Sequence, residues 1–219
     1  MKYLAPTILV IFIFTTAAIG VANPLPAVVP TETPETSNKD IPNQRNWTNI
    51  RVLHIGDSHL QNWGLKGTLR KKFQAAGATY NVVAWKGSSS RSWLRTGKLH
   101  RLLQQKSPDV VIVNLGTNVS RAKDPNDYAK FIKKMILKIS PRECYWVAPP
   151  PLIEDNNGFY DMLISATSQC HLLDSRKIPF EVPHKKYFHL SKRQSVLWAE
   201  YIWEWMNETS DLPEHGDGV

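Results

Sequence analysis

The hydrophobic positions of this chain fall into two alternating patterns. Short apolar runs rich in β-branched and aromatic residues are typical of buried strands, and they cover Ile50–Ile55, Tyr80–Trp85, Val110–Leu115, Tyr145–Ala148 and His171–Leu173. The segments between and after these runs carry apolar residues at helical spacing. Strands and helices that alternate in this way predict a parallel sheet with helices on both faces. Because crossovers between parallel strands are right-handed, the expected fold is α/β, a three-layer α/β/α sandwich.

The helical spacing predicts five helices. Their apolar positions are Leu65, Leu69 and Phe73; Trp93, Leu99, Leu102 and Leu103; Tyr128, Phe131, Ile132, Met135, Ile136 and Ile139; Phe159, Met162, Leu163 and Ala166; and Val196, Leu197, Ala199, Tyr201, Ile202 and Trp205. Ser191 and Gln194 have the spacing of a capping box, which predicts where the last helix begins. We expect that helix to close the domain at residue 207, before a polar tail over residues 208–219.

The amino-terminal part of the chain has a different composition. Lys2, the apolar stretch Ile8–Phe14 and the small residues Gly20-Val21-Ala22 are typical of an export signal, so residues 1–22 are expected to be a signal peptide. Residues 23–49 are rich in proline and polar residues, which predicts a flexible linker without a core, followed by a domain over residues 50–207. The protein is therefore expected to be exported, periplasmic or secreted. An uncleaved N-terminal membrane anchor is the alternative.

Length and charge narrow the classes of function. A chain of 219 residues suffices for one domain with a full core. Its formal net charge of +8 favours acidic partners such as wall polymers or anionic lipid surfaces. Export and the lack of a nucleic-acid-binding signature argue against a nucleic-acid partner. We expect a monomer whose N-terminal segment keeps it near a membrane or cell wall.

The two cysteines fit an oxidising compartment. Cys144 and Cys170 each open a predicted strand. If those strands are neighbours in a parallel sheet, their first residues lie about 5 Å apart, close enough for a disulfide. We predict this bond, with two free buried thiols as the alternative. Neither cysteine has the partners expected of a zinc site.

Four positions with chemical potential lie just after predicted strands or beside the last helix. Ser58 follows the first strand, Gly87 the second and Asn118 the third, while His189 immediately precedes the last helix. Open α/β sheets collect their chemistry at the carboxyl ends of the strands. Acyl transfer requires a serine activated by an imidazole, together with N–H groups that stabilise an oxyanion. Taken singly, each position also fits a structural role, with Ser58 as a helix N-cap and Gly87 and Asn118 in turns.

These residues carry a resemblance to the SGNH (GDSL-type) hydrolases, a family named for Ser, Gly, Asn and His in four separated blocks. The matching residues are Gly56-Asp57-Ser58, Gly87, Gly116-Thr117-Asn118 and His189-Leu190, and the resemblance covers residues 51–205. It implies a flavodoxin-like sandwich with a five-stranded parallel sheet. It also implies an esterase, lipase or carbohydrate deacetylase that uses no metal or other cofactor. In this family pattern Ser58 is the nucleophile and His189 the base. The oxyanion hole comprises the N–H groups of Ser58 and Gly87 and the amide of Asn118.

One position departs from the family pattern. The family usually has an Asp three residues before the histidine, whereas this chain has Lys186, which cannot accept a hydrogen bond from the imidazole. Three alternatives are open. The site works as a Ser–His dyad oriented by a backbone carbonyl, or another carboxylate such as Asp174 or Glu181 replaces the Asp, or the site is weakened or inactive.

Aromatic side chains are expected around the site. His59, Trp63, Trp85 and Trp93 are candidates for substrate contacts, and packing of the tryptophans between helices and sheet is the alternative. With export and a basic surface, the expected substrate is an acylated polysaccharide, such as O-acetylated peptidoglycan, hydrolysed through an acyl-enzyme. The alternatives are a small ester, as for a short-chain lipase or esterase, an O-acyltransferase with the same site, and a catalytically weakened glycan-binding protein.

Overall fold

A parallel five-stranded sheet forms the centre of the described part of the molecule. The structure, a computed structural model, describes residues 45–151, 157–181 and 189–209. The strands are β1 (Arg51–Gly56), β2 (Thr79–Ala84), β3 (Val110–Asn114), β4 (Glu143–Val147) and β5 (His171–Leu173). Their order in the sheet is β2-β1-β3-β4-β5, and every neighbouring pair is parallel. The flavodoxin-like sheet that the family resemblance implies is therefore confirmed.

Helices cover both faces of this sheet. They are α1 (Trp63–Ala75), α2 (Ser90–Arg95), α3 (Lys98–Lys106), α4 (Ala129–Ile139), α5 (Phe159–Ala166) and α6 (Lys192–Glu208). Alternate residues of β3 point to opposite faces, as a strand requires. Val110 and Ile112 pack in a core with α1 and α6, whereas Val111 and Val113 pack in a second core with α2 to α5. The predicted three-layer sandwich is confirmed.

One predicted helix is divided in two. The apolar positions from Trp93 to Leu103 predicted a single helix, but α2 ends at Arg95 and α3 begins at Lys98. Gly97, between them, has a φ of +65°, in the left-handed region that interrupts an α-helix. Both halves still bury their apolar residues in the same core.

The last helix begins where the sequence predicts and continues one residue further. Ser191 accepts a hydrogen bond from the backbone N–H of Gln194 at 3.2 Å. The Gln194 side chain instead accepts from the backbone N–H of Glu181 at 3.2 Å, so only half of the predicted capping box forms. The helix ends at Glu208, one residue into the segment expected to be a tail.

The folded domain begins before residue 50, earlier than the linker prediction placed it. Trp47 is only 2% exposed and packs edge-on against Phe73, with ring centroids 5.0 Å apart. Its indole N–H donates to Asn207 Oδ1 at 2.9 Å. Arg45 forms a salt bridge with Glu143 and lies over the Trp47 ring. Residues 45–49 therefore belong to the folded domain, because the buried indole of Trp47 anchors this otherwise polar segment. The expected signal peptide and residues 23–44 lie outside the described residues.

No helix in the described ranges is both long enough and apolar enough to span a membrane.

The predicted disulfide is present. Cys144 and Cys170 are bonded, with their Cα atoms 4.8 Å apart. The register between β4 and β5 pairs Tyr145 with His171, which places the two cysteines opposite each other one residue earlier. The bond therefore joins the starts of neighbouring parallel strands.

Candidate active site

Ser58 lies in a tight turn at the carboxyl end of β1. A side chain at Gly56 would place a Cβ 2.8 Å from the carbonyl oxygen of Asn114, so only glycine allows β1 and β3 to approach this closely. Ser58 precedes a 3₁₀ turn at His59–Gln61, but its side chain makes no capping hydrogen bond. Asp57 instead accepts from the backbone N–H of His59 at 3.0 Å. The hydroxyl of Ser58 is thus left available for chemistry.

His189, near the carboxyl end of the chain, contacts the Ser58 hydroxyl. The distance between His189 Nε2 and Ser58 Oγ is 2.8 Å, which is hydrogen-bonding distance. The two residues are 131 positions apart in sequence. Their approach follows from the topology, because β1 is an interior strand between β2 and β3, and α6 packs against α1, the helix that follows the Ser58 turn.

Asn62 holds the His189 segment in place, a role that the sequence analysis did not identify. Its side-chain amide donates to the carbonyl oxygen of Leu190 at 3.1 Å. Its side-chain oxygen accepts from the N–H of Gly64 at 2.8 Å and caps α1. One side chain therefore ties the start of α1 to the residue after His189. An Asn immediately before a predicted helix was the available signal, but it identifies the cap and not the second bond.

Three N–H donors follow the carboxyl ends of the neighbouring strands β1, β2 and β3. Within the described residues, the backbone N–H groups of Ser58 and Gly87 have no acceptor. Gly87 has a φ of +72°, which a residue with a Cβ adopts only under strain. The amide of Asn118 donates to the carbonyl oxygen of Ser88 at 3.0 Å, which fixes the amide next to Gly87, and it makes a second, long contact of 3.5 Å with Asp57 Oδ2. Backbone and amide N–H donors are the groups that an oxyanion hole requires.

Trp93 supports the turn at Gly87 and Ser88 from inside the protein. The sequence analysis offered Trp93 as a substrate contact, but the side chain is fully buried in the core beneath α2. Its indole N–H donates to Ser88 Oγ at 2.9 Å. Trp93 therefore positions the Gly87–Ser88 turn and is not a substrate contact.

Asp57 connects the nucleophile turn with the turn after β3. Besides the N–H of His59, it accepts hydrogen bonds from the side chain and the backbone of Thr117. Asn118 Nδ2 lies 3.5 Å from its other oxygen. Burial raises the pKa of Asp57 to about 6, and these hydrogen bonds oppose the rise. The carboxyl group thus fixes the relative position of the serine and the oxyanion donors.

His59 is also buried, contrary to its expected role as a substrate contact. Its ring lies 4.9 Å from the His189 ring and 5.8 Å, edge-on, from Trp198. His59 therefore forms the floor under His189. Trp85 is half-buried against Trp93, at a centroid distance of 5.7 Å.

Trp63 remains the most exposed of the candidate contacts. Its side chain is 70% exposed at the first position of α1. The preceding residue, Asn62, bonds to the His189 segment. Trp63 is therefore an exposed aromatic next to the residue that holds the His189 segment, with Lys66 Nζ 4.8 Å from its ring centroid.

The carboxylates proposed to orient His189 have other partners. Asp174 forms a salt bridge with Arg176 at 2.6 Å and caps the short helix that follows β5. Glu181 lies 3.7 Å from Arg193. Neither contacts His189, and Nδ1 of His189 has no hydrogen-bond partner in the described part of the chain. The prediction that Asp174 orients His189 was wrong, because Arg176, only two residues away, binds the Asp174 carboxylate. Lys186 lies outside the described residues.

Acidification is expected to destabilise the fold through two buried histidines. Burial lowers the pKa of His54 from 6.5 to about 3. Burial, with nearby His189 and Arg121, lowers the pKa of His59 to about 3. Both rings stay neutral when folded but bind a proton when unfolded, so each removes up to ~1.4 kcal/mol of stability per pH unit as the pH falls from 6.5 towards 3. Burial raises the pKa of Asp57 from 3.8 to about 6, which offsets part of this loss between those two values.

Urea unfolding of the full chain from about pH 7 to about pH 4.5 measures this effect. The free energy of unfolding should fall steadily over that range. His54→Gln keeps a neutral partner for the Tyr80 hydroxyl, which lies 2.6 Å from His54 Nδ1, and should show a shallower slope. A wild-type free energy that stays constant with pH would contradict the assignment.

Solved structures of ester hydrolases share this architecture. The lipase/acylhydrolase from Enterococcus faecalis aligns with a TM-score of 0.59 at 15% identity, covering 73% of this chain and 96% of that chain. The acetyl xylan esterase AlAXEase aligns with a TM-score of 0.59 at 17% identity, covering 71% and 98%. The acetylxylan esterase Axe2 from Geobacillus stearothermophilus aligns with a TM-score of 0.58 at 15% identity, covering 73% and 95%.

At the level of sequence, no family model and no curated protein matches this chain. The likeness in structure therefore concerns the fold, a five-stranded parallel sheet with helices on both faces. The chain has the fold of the SGNH hydrolases.

Proposed function

We propose that this protein is a serine esterase of the SGNH type, with Ser58 as nucleophile and His189 as general base. The observation that carries the proposal is the 2.8 Å contact between His189 Nε2 and Ser58 Oγ, at the edge of the sheet where the turns of Gly87 and Asn118 also lie. A serine hydroxyl becomes an effective nucleophile only when a base can take its proton. A structural serine–histidine contact does not require an adjacent oxyanion hole, whereas acyl transfer requires both.

The chemistry follows from this geometry. Ser58 Oγ attacks the ester carbonyl carbon while its proton moves to His189 Nε2. The carbonyl oxygen gains negative charge, which the N–H groups of Ser58 and Gly87 and the amide of Asn118 stabilise. The carbon–oxygen bond to the leaving alcohol then breaks, and His189 returns the proton to that alcohol. Water, deprotonated by His189, attacks the acyl-enzyme and releases a carboxylic acid and free Ser58.

We propose that His189 acts in a dyad. Its ring is held by packing against His59 and by the bond from Asn62 to the neighbouring Leu190. This arrangement restricts the imidazole without a carboxylate on Nδ1. Loss of the orienting Asp in a serine protease lowers turnover by about 10⁴ yet leaves measurable catalysis, so a dyad remains a working enzyme.

A polar groove beside the oxyanion donors favours a small acyl group on a polar molecule. The groove has a volume of about 370 Å³. The residues that line it are Gly87, Ser89, Arg91, Ser92, Arg95, Asn118 and Tyr128. Long acyl chains require an apolar lining, which these side chains do not provide. Two of the similar structures are described as acetyl xylan esterases. We therefore propose an O-acetylated polysaccharide as substrate, encountered after export, with Trp63 available to stack on a sugar face.

The proposed activity is tested with 4-nitrophenyl esters of acetate, butyrate and octanoate and with an acetylated polysaccharide. The full chain should hydrolyse the acetyl ester about tenfold faster than the octanoyl ester in kcat/KM, because the polar groove offers no apolar contact to a long chain. Acetate should also be released from the polysaccharide. A folded protein that hydrolyses none of these esters would contradict the proposed function, and a preference for octanoate would contradict the substrate class.

A further inference from the structure

The groove beside the oxyanion donors contains two arginines and no acidic residue. Arg91 and Arg95 lie four positions apart on α2, so they share one face of the helix with Cβ atoms about 5–6 Å apart. The groove begins at Gly87 and Asn118, the donors that would hold the oxygen of a reacting ester. A group bound between the arginines would therefore lie beside a reacting ester.

The two guanidinium groups lack carboxylate partners. Arg45, Arg51 and Arg176 each form a salt bridge with an acidic side chain. Among the residues that the structure describes, neither Arg91 nor Arg95 has such a partner. The Arg91 guanidinium carbon lies 5.7 Å from the Phe131 ring, a cation–π distance that limits its freedom while leaving its N–H groups unused.

Like charges one helical turn apart repel each other, so this pair costs the free protein stability. A guanidinium offers parallel N–H donors that match a carboxylate in a bidentate arrangement. A bound anion would remove the repulsion and satisfy these donors. The net charge of +8 would also attract an acidic polymer towards the groove.

We propose that Arg91 and Arg95 bind the carboxylate of an acidic sugar next to the scissile acetyl ester. The substrate class is then an O-acetylated, uronic-acid-containing polysaccharide, and the arginines set its specificity. The ester chemistry in this statement rests on the proposed function, whereas the binding of the acidic sugar does not.

Acetylated galacturonan and its methyl-esterified form provide a matched pair of substrates, since methyl esterification removes the charge but keeps the backbone and acetyl groups. The wild-type protein should deacetylate the free-acid form with a kcat/KM about tenfold higher, mainly through a lower KM. That preference should shrink as salt rises, because salt screens exposed charges. Equal rates on both forms, with the neutral acetyl ester still hydrolysed, would overturn this inference and leave the proposed function standing.

Arg91→Gln/Arg95→Gln should abolish the preference for the free-acid form. The matched control is Arg70→Gln/Lys71→Gln, which removes the same charge from two exposed residues of α1 on the opposite face of the sheet. The control should keep the preference, so a general effect of net charge is separated from binding in the groove. A preference that survives in the Arg91/Arg95 variant would overturn the assignment.

Binding measured without turnover keeps the inference independent of the enzyme mechanism. Calorimetry with Ser58→Ala and an oligogalacturonate should show affinity about tenfold higher than for the methyl-esterified oligosaccharide. The difference should disappear when the two arginines are also replaced. If the oligogalacturonate does not bind, the inference is wrong even if esters are hydrolysed. Equal affinity for a sulfated glycan of the same charge would overturn the choice of a carboxylate.

Discussion

Ser58→Ala should lower kcat/KM for 4-nitrophenyl acetate by about 10³ or more. Removing the serine of a complete triad costs roughly 10⁶ in turnover. Among the described residues no carboxylate contacts the base, so the starting rate is lower and the loss measured from that rate is smaller. The remaining activity comes from the oxyanion donors, which still polarise the ester carbonyl. Stability should change by less than about 0.5 kcal/mol, because the Ser58 side chain is half-buried and caps no helix.

Ser165→Ala is the matched control for this prediction. Ser165 is an exposed serine on α5, on the side of the sheet opposite α1 and α6. It should keep wild-type kinetics. If Ser58→Ala retains more than about a tenth of the wild-type kcat/KM, the serine is not the nucleophile.

His189→Ala should lower kcat/KM by a similar factor of about 10³ or more. Without the imidazole, Ser58 keeps its proton at neutral pH and the leaving alcohol receives none. Because His189 lies exposed at the mouth of the site, added imidazole can enter the space left by the side chain. A partial return of activity with imidazole would therefore distinguish loss of the base from loss of the fold.

His100→Ala serves as the control here, since His100 is an exposed histidine on α3. It should leave the rate unchanged. An unchanged rate for His189→Ala would show that the contact with Ser58 is structural only. Loss of cooperative unfolding in His189→Ala would be unexpected, because the exposed ring contributes little burial.

The turn Gly56-Asp57-Ser58 divides its tasks among three residues. Gly56 permits the close approach of β1 and β3, and Asp57 ties the turn to Thr117 and to the N–H of His59. With these demands met by its neighbours, Ser58 is left free to bond with His189. Because Gly56 and Asp57 hold the turn in place, the Ser58 side chain is not needed to cap the following helix.

The positions of the strands and the parallel character of the sheet could be predicted from sequence because they depend on short-range patterns. β-Branched runs define the strands, and the carboxyl ends of parallel strands must meet at one edge. That rule brought Ser58, Gly87 and Asn118 together before any coordinates. The break between α2 and α3 was missed because a single Gly97 outweighs the apolar spacing around it.

Several roles that depend on individual long-range contacts could not be predicted. Trp93 looked like an exposed aromatic near the site, but its indole is the buried support of Ser88. Asp174 is held by Arg176, so its carboxylate is unavailable to His189. The second bond of Asn62 and the groove at Arg91 also depend on which elements the fold brings together. The periodicity of apolar residues in the sequence does not predict such contacts.

The central claim is that Ser58 is a nucleophile activated by His189. Covalent labelling with a fluorophosphonate, followed by intact mass and peptide mapping, tests it most directly because the reagent reports the attacking atom. We predict one adduct on the full chain, located on Ser58, absent from Ser58→Ala and formed far more slowly by His189→Ala. An adduct on another residue, or none on folded wild-type protein, would contradict the account.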